Sequence, residues 1–320
     1  MDQPIHIVSV SLGSSHRDKT IETEFLGRRF LIQRLGTDGD MKRAGEMIAE
    51  LDGHAAAIGL GGIDLYLTAG RRRWTIRDAA RLAARAQTTP VVDGSGLKNT
   101  LERETVRYLD RAGLLQPADG SGRRPRVLVV SAVDRFGLAE AVVTAGAETC
   151  FGDLIFALQI PIAVRRLGTI RLIARLLLPV LSRLPFRMLY PTGEKQHETH
   201  SRGSSWFRWA DIIAGDFHYI GCNLPAPGPD NADLLAGKMV ITNTTTEEDV
   251  ARLRALGLAT LVTTTPRMQG RSPGTNVMEG VLVALSGKRP EALTEQDYLD
   301  LLEQLQWKPE VERLQETPKA

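Results

Sequence analysis

The chain has 320 residues, of which 42% are hydrophobic and 24% charged, with a formal net charge of +2. That size and balance exclude a disordered chain and suit a globular protein of roughly two domains, and so small a net charge gives no global attraction to nucleic acid. The cysteines, Cys150 and Cys222, are too few for a disulfide framework or a metal cluster and read as buried free thiols in a reducing compartment; with no charged-then-apolar leader at the start, a cytoplasmic protein is expected.

Ile5-His-Ile-Val-Ser-Val10 is a short strand that runs into Ser11-Leu-Gly-Ser-Ser15, a polar turn that offers Ser11 and Ser14 to a ligand or serves as a plain connector. Thr20 to Gln33 reads as extended, and Thr37-Asp-Gly-Asp40 caps a helix through Met47, Ile48 and Leu51 that Gly53 closes. Ala55 to Gly59 is the next strand; it leads into Leu60-Gly-Gly-Ile-Asp-Leu-Tyr66, whose paired glycines and Asp64 sit where strands of a parallel sheet meet ligands. Thr75 and Asp78 make a capping-box-like start to a helix running to about Ala86.

After Pro90-Val-Val92 comes Asp93-Gly-Ser-Gly-Leu-Lys-Asn-Thr100, read as a polar loop before a helix from about Leu101 to Asp110. Its Asp93, Ser95, Lys98, Asn99 and Thr100, with two glycines and a helix N-terminus, form a candidate site for a phosphate, carboxylate or polyol. The spacing is not that of a P-loop. Gln116-Pro-Ala-Asp-Gly-Ser-Gly-Arg-Arg-Pro125 is a composition break of the kind that separates domains. The division expected from it is an N-terminal α/β domain over 1–118, a second domain over 119–290, and a C-terminal helix and tail over 291–320.

The second domain opens on Arg126-Val-Leu-Val-Val130, a buried strand, followed by a tight turn and a helix that Gly146 ends. This is the first half of a βαβ nucleotide-binding unit with an altered loop: Ser131-Ala-Val-Asp-Arg-Phe-Gly137 stands where G-x-G-x-x-G lets the backbone approach a pyrophosphate. Within it Ser131, Asp134, Arg135 and Gly137 are candidate cofactor contacts, and Asp153 stands about 20 residues on, where such folds place the ribose-binding acid. A plain βαβ packing unit is the competing reading.

From Leu154 to Gly193 there is no acidic residue and no lysine, while Arg165, Arg166, Arg171, Arg175, Arg183 and Arg187 interrupt runs of Leu, Ile and Val. The charges and Pro161, Pro179 and Pro185 exclude a bilayer span. A helical insertion over about 154–205 is expected, either packed on the core with its arginines solvated, closing over an acidic ligand, or lying peripherally on an anionic membrane. His197, His200 and His218 fit no metal-ligand spacing and read as surface histidines, so no metal is expected. Trp206, Phe207 and Trp209 anchor the segment to the core.

Asp211-Ile-Ile-Ala214, Lys238-Met-Val-Ile241 and Thr260-Leu-Val-Thr263 are further strands, whose exits carry Asp216 and His218, Thr242, and Thr264. Thr242 and Thr264 complete the candidate cofactor set. Gly270-Arg-Ser-Pro-Gly-Thr-Asn276 precedes an apolar helix and offers Arg271, Ser272, Thr275 and Asn276 as a second candidate anion site. The fold expected is two α/β domains, the second Rossmann-like with an arginine-rich helical insertion.

Ser9-Val-Ser-Leu-Gly-Ser14, Gly59-Leu-Gly-Gly-Ile-Asp-Leu-Tyr66, Val91-Val-Asp-Gly-Ser-Gly-Leu-Lys-Asn-Thr100, Val130 to Gly137 and Thr275-Asn-Val-Met-Glu279 resemble a bacterial quinate/shikimate 5-dehydrogenase-like group over almost the whole chain. The resemblance implies an N-terminal polyol-binding domain, a C-terminal Rossmann domain and NAD(P)-dependent oxidation of a cyclic polyol acid. The better-understood shikimate dehydrogenases use a lysine and an aspartate as the catalytic pair; on chemistry the candidates here are Lys98 with Asp93 or Asp110, and Asp153 would favour NAD over NADP. The sequence departs from those dehydrogenases in two places: Ser131 to Gly137 replaces their glycine-rich loop, and their Lys-to-Asp motif has no clear counterpart. A non-redox enzyme or binding protein for a phosphorylated or acidic metabolite is the alternative, and homo-oligomerisation is left open.

Overall fold

The computed structural model describes residues 3–70, 72–117, 119–157, 159–185, 204–265 and 274–315. They form two compact units, each assembled from three stretches of chain: Met1–Thr100, Arg175–Gln196 and Gly274–Trp307 make the first, and Leu101–Ala174, His197–Pro273 and Lys308–Ala320 the second.

The chain begins with β1 (Ile5–Ser11), β2 (Lys19–Phe25), β3 (Arg28–Gly36), α1 (Met41–Leu51), β4 (Ala57–Gly61), a small hairpin of β5 (Tyr66–Ala69) and β6 (Arg72–Thr75), α2 (Arg77–Ala83), β7 (Val91–Val92) and α3 (Ser95–Arg111). The chain continues with β8 (Arg126–Val129), α4 (Phe136–Thr144), β9 (Glu148–Phe151), α5 (Leu167–Leu181, whose residues from Arg175 on belong to the first unit), α6 (Ser204–Trp209), β10 (Ile212–Ala214), α7 (Phe217–Asn223), β11 (Met239–Thr242), α8 (Glu247–Ala255) and β12 (Thr260–Thr263). The chain then adds α9 (Thr275–Ser286) and α10 (Glu295–Gln304) to the first unit and closes with β13 (Glu310–Arg313) in the second.

The first sheet has the order β2-β3-β1-β4-β7, parallel except for the edge strand β2. Leu26 and Gly27, both at positive φ (50° and 75°), make the two-residue turn that lets β2 fold back on β3. Because side chains alternate across a strand, Val8, Val10, Ile58 and Leu60 meet Ala44 and Ile48 of α1 and Ala79 and Leu82 of α2. Ile7, Phe30, Ile32 and Ala57 meet Val277 and Val281 of α9 on the other face. Two-sided cover explains why these strands read as unbroken apolar runs.

The second sheet runs β13-β12-β11-β10-β8-β9, parallel from β9 to β12. Leu128, Val130, Cys150, Ile213, Val240 and Leu261 form one face of its core with Phe207, Ile220 and Leu253. From β8 the chain steps to β9 on one side and later to β10 on the other, so the order reverses between β8 and β10, the place where doubly wound sheets bind ligands. An α/β fold with parallel sheets is therefore what the chain adopts.

Some expectations need correction. The division at 118 falls instead at Thr100, because the polar stretch 116–125 is only the connection from α3 to β8. Residues 274–307 return to the first unit, since Val277 and Val281 cover its sheet. The C-terminal stretch carries a strand as well as a helix: β13 lies antiparallel on β12, and its charged Glu310, Glu312 and Arg313 hid it as an edge. Helix α3 starts at Ser95 rather than Leu101, and the N-cap of α2 is Ile76 with no side-chain hydrogen bond, so Thr75 ends β6 instead of capping. Helix α1 is capped as expected, Asp40 accepting from the N–H groups of Lys42 and Arg43.

Candidate functional site

At the carboxyl edge of the first sheet, Ser11 Oγ accepts from Gly13 N (3.1 Å) and Arg34 Nη2 (3.0 Å). Arg34 Nη1 in turn donates to Asp18 (2.9 Å) and to the Ser14 carbonyl (3.0 Å). Ser14 Oγ caps the short turn Ser15–Arg17 through His16 N (3.2 Å). Asp64 is half-buried after β4.

Asp93, the expected catalytic acid, accepts from Leu65 N (2.6 Å), Tyr66 N (3.0 Å) and Ser95 N (3.0 Å), so its carboxylate ties together the segments that follow β4 and β7. Since α3 begins at Ser95, Lys98, Asn99 and Thr100 lie within its first turns rather than in a loop, with Lys98 N donating to Gly94 O. Ser95, Lys98 and Asn99 are half-buried, and Thr100 is buried.

Helix α9 enters this edge closely. Asn276 donates to Ser9 Oγ (2.8 Å), and a Cβ on Gly59 would stand 2.9 Å from Asn276 Nδ2, so a side chain there would push on the first turn of α9. One turn on, Glu279 is buried, accepting from Gly94 N (2.6 Å) and Tyr298 Oη (2.9 Å). Burial, reinforced by the charge of Asp93, pushes its carboxyl up to about 8 against the pull of those hydrogen bonds. Thr275 and Asn276 thus begin α9, while Arg271 and Ser272 lie outside the described residues.

In the second unit the turn after β8 presents the N–H groups of Ala132 and Val133 as a phosphate-binding turn would. They are taken by the chain's own Asp153, at 3.1 and 2.8 Å. Burial raises Asp153 to about 6, and the two N–H groups work in the opposite direction. The residue expected at a ribose therefore occupies the turn expected at a pyrophosphate.

Arg135, expected to meet a ligand anion, is 5% exposed and bonds Glu102 (2.5 Å) and Asp216 (2.5 Å), with Asp134 at 3.4 Å. Burial alone would favour loss of its charge, but these three acids outweigh it and hold the pKa above the usual arginine value. Asp216 also accepts from Asn243 Nδ2 (2.9 Å) and caps α7 through the backbone His218 N (2.9 Å). Asn243 Oδ1 accepts from Thr242 Oγ1 (3.1 Å) and Phe217 N (3.2 Å), while Thr264 N reaches Thr242 O (2.9 Å). Gly137 is buried in the first turn of α4.

The structure thus joins Arg135, Asp134, Asp216, Asn243 and Thr242, at the exits of β8, β10 and β11, with Glu102 of α3. Around them the buried hydroxyls of Ser131, Thr245 and Thr263 have no hydrogen-bond partner among the described residues. Glu102 and Asn243 escaped the sequence reading because a single acid on a helix and a single amide after a strand carry no local signal. Among the described residues no group of three His, Cys, Asp or Glu side chains is arranged to hold a metal; His197 and His200 lie outside them.

A recess of about 780 Å3 opens at the amino edge of the first sheet, lined among others by His6, Arg28, His54, Lys288 and Arg289 and, among the described residues, by no acidic side chain.

The sequence matches the family described as Domain of unknown function (DUF8753) over residues 6–93 and that described as Domain of unknown function (DUF8754) over 96–314. No curated protein matches. Among solved structures, the glucose-galactose binding protein GanP of Geobacillus stearothermophilus is similar at a TM-score of 0.37 and 9% identity, over 99% of this chain and 100% of that one. A galactofuranose binding protein gives 0.33 and 12%, over 95% and 99%, and the NAD-dependent malic enzyme of Thermotoga maritima 0.31 and 10%, over 93% and 83%. The match over 96–314 spans more than half of the sequence, and the chain belongs to the DUF8754 family.

Proposed function

We propose that this protein binds a small hydroxyl-rich molecule at the carboxyl edge of the second sheet, without a dinucleotide in the turn after β8. The observation that carries this reading is Asp153 on the N–H groups of Ala132 and Val133: a pyrophosphate there would meet a carboxylate instead of donors. Among the described residues, the polar cluster beside it sets Glu102, Asp216 and Asp134 against a single cation, Arg135, a balance that repels anions and suits ligand hydroxyls. Ser131, Thr245 and Thr263 supply further donors and acceptors. An acidic metabolite would find its cations at the amino-edge recess of the first sheet instead.

The test is a thermal-shift and calorimetric panel of quinate, shikimate and monosaccharides, beside titration with NADH and NADPH by fluorescence. Ser131→Ala and Thr245→Val each remove a buried hydroxyl that has no partner among the described residues, so stability should hold or rise, whereas affinity for the polyol should fall about fivefold to tenfold for a lost hydrogen bond. Affinity unchanged in both variants, or no polyol bound at all, overturns the reading.

The strand order β9-β8-β10-β11-β12 favours a second reading, an NAD(P)-dependent oxidoreductase for a quinate-type acid, in which Asp153 leaves the turn and Lys98 acts as the acid–base group. It requires saturable binding of NADH or NADPH and a loss of about 100-fold in turnover for Lys98→Met.

A further inference from the structure

Helix α5 carries apolar side chains on opposite sides. Ile170, Ala174 and Leu178 are buried, while at 100° per residue Leu172, Leu176 and Val180 form a stripe roughly 160° away and are 57%, 66% and 59% exposed. Ile160 and Ile162, just before the helix, and Leu177 within it are exposed as well. Among the described residues the large apolar side chains left in solvent elsewhere are Leu26, Tyr108 and Val143, so this stretch holds most of that surface. A concentration of this kind marks an interaction face.

The charges say what it faces. Arg166, Arg175 and Arg183 are exposed, with no acidic partner among the described residues. Arg165 and Arg171 pair with Glu148 and Glu140, yet each remains 48% exposed. From Leu154 to Gly193 the sequence contains no acid. No described helix is long and apolar enough to cross a membrane. A second copy seated on this stripe would set arginines against arginines with nothing in the stretch to offset them. An anionic bilayer surface offers what both features need, negative headgroups for the arginines and an acyl boundary for the leucines.

We propose that the exposed face of α5 docks the protein peripherally on anionic lipid bilayers. The full chain should co-sediment with vesicles containing phosphatidylglycerol and not with phosphatidylcholine alone, and less of it should bind as salt rises. Leu176→Glu and Val180→Glu alter exposed side chains, so both variants should melt like the wild type; each should lower the partition coefficient about tenfold or more, the loss expected for one buried aliphatic side chain. Arg175→Gln combined with Arg183→Gln should weaken binding in the same assay. Failure of the wild type to sediment with anionic vesicles, or equal sedimentation of wild type and Leu176→Glu, overturns the proposal. So does a wild-type dimer in light scattering that Leu176→Glu dissociates in the absence of lipid, which would give the face to a second copy.

Discussion

Glu279 shows how a single buried carboxyl shapes the behaviour of the chain. A rise from 4.5 to about 8 corresponds to roughly 4 to 5 kcal/mol, at about 1.4 kcal/mol for each tenfold in the proton equilibrium. The folded state therefore holds a proton that the unfolded chain releases. Its contribution to stability is complete below about pH 4.5 and is lost as pH rises towards 8. Asp153, raised to about 6, acts in the same direction between its ordinary value of 3.8 and 6. Urea denaturation across pH should thus show stability falling from about 4.5 to 8, and Glu279→Gln should flatten the part above pH 6 while lowering stability overall, since an amide cannot accept from all of its present donors. Parallel profiles for the two proteins would show that Glu279 is ionised in the folded state. Gly59 makes a steric prediction of the same kind: in Gly59→Ala the new methyl stands 2.9 Å from Asn276 Nδ2 and 3.1 Å from the Asn276 carbonyl oxygen. The first turn of α9 must shift, at a cost of roughly 1–3 kcal/mol read as a lower urea midpoint.

Among the elements, the recurrent device is a loop closed by one carboxylate that accepts several backbone N–H groups. Asp52 does this for Gln87, Thr88 and Thr89, Asp93 for Leu65, Tyr66 and Ser95, and Asp153 for Ala132 and Val133. If Asp153 stands in for an anion, Asp153→Ala should cost about 1–3 kcal/mol for the donors left bare, and sulfate or phosphate should restore more stability to the variant than it adds to the wild type. Equal effects of the salt on both proteins would refute that equivalence. The same device explains what sequence could and could not disclose. Strands β8, β10, β11 and β12 were legible because two-sided burial demands continuous apolar runs. Gly53 and Gly146 were legible as stops because each takes positive φ. The start of α3 was not, since Asp93-Gly-Ser-Gly96 has the composition of a turn, and the residue just before the helix, Gly94, is held by the distant Glu279. Asp153 was visible as a position without its role, and the partnership of Glu102 with Arg135, 33 residues apart, has no periodic trace.

At the scale of the whole chain, the first unit is completed only by residues that follow most of the second in sequence. Its sheet and first helices lie within residues 1–100, yet Ile7, Phe30, Ile32 and Ala57 are covered by Val277 and Val281 of α9. The loop that opens α3 is held by Glu279, itself bonded to Tyr298. A fragment of residues 1–118, which the composition break at 116–125 would recommend as a domain, therefore bares one face of its sheet. Each of the larger side chains left in water forfeits about 1.5–3 kcal/mol, and together they approach the 5–15 kcal/mol by which natural domains are stable. The fragment should show no cooperative urea transition and should bind a hydrophobic dye, whereas the full chain should unfold cooperatively. A polypeptide joining residues 1–100 to 274–307 through a flexible linker restores that cover and should recover a cooperative transition. If residues 1–118 alone unfold cooperatively, with a denaturant slope suited to about 100 ordered residues, then α9 is an accessory to the first unit and not part of its core.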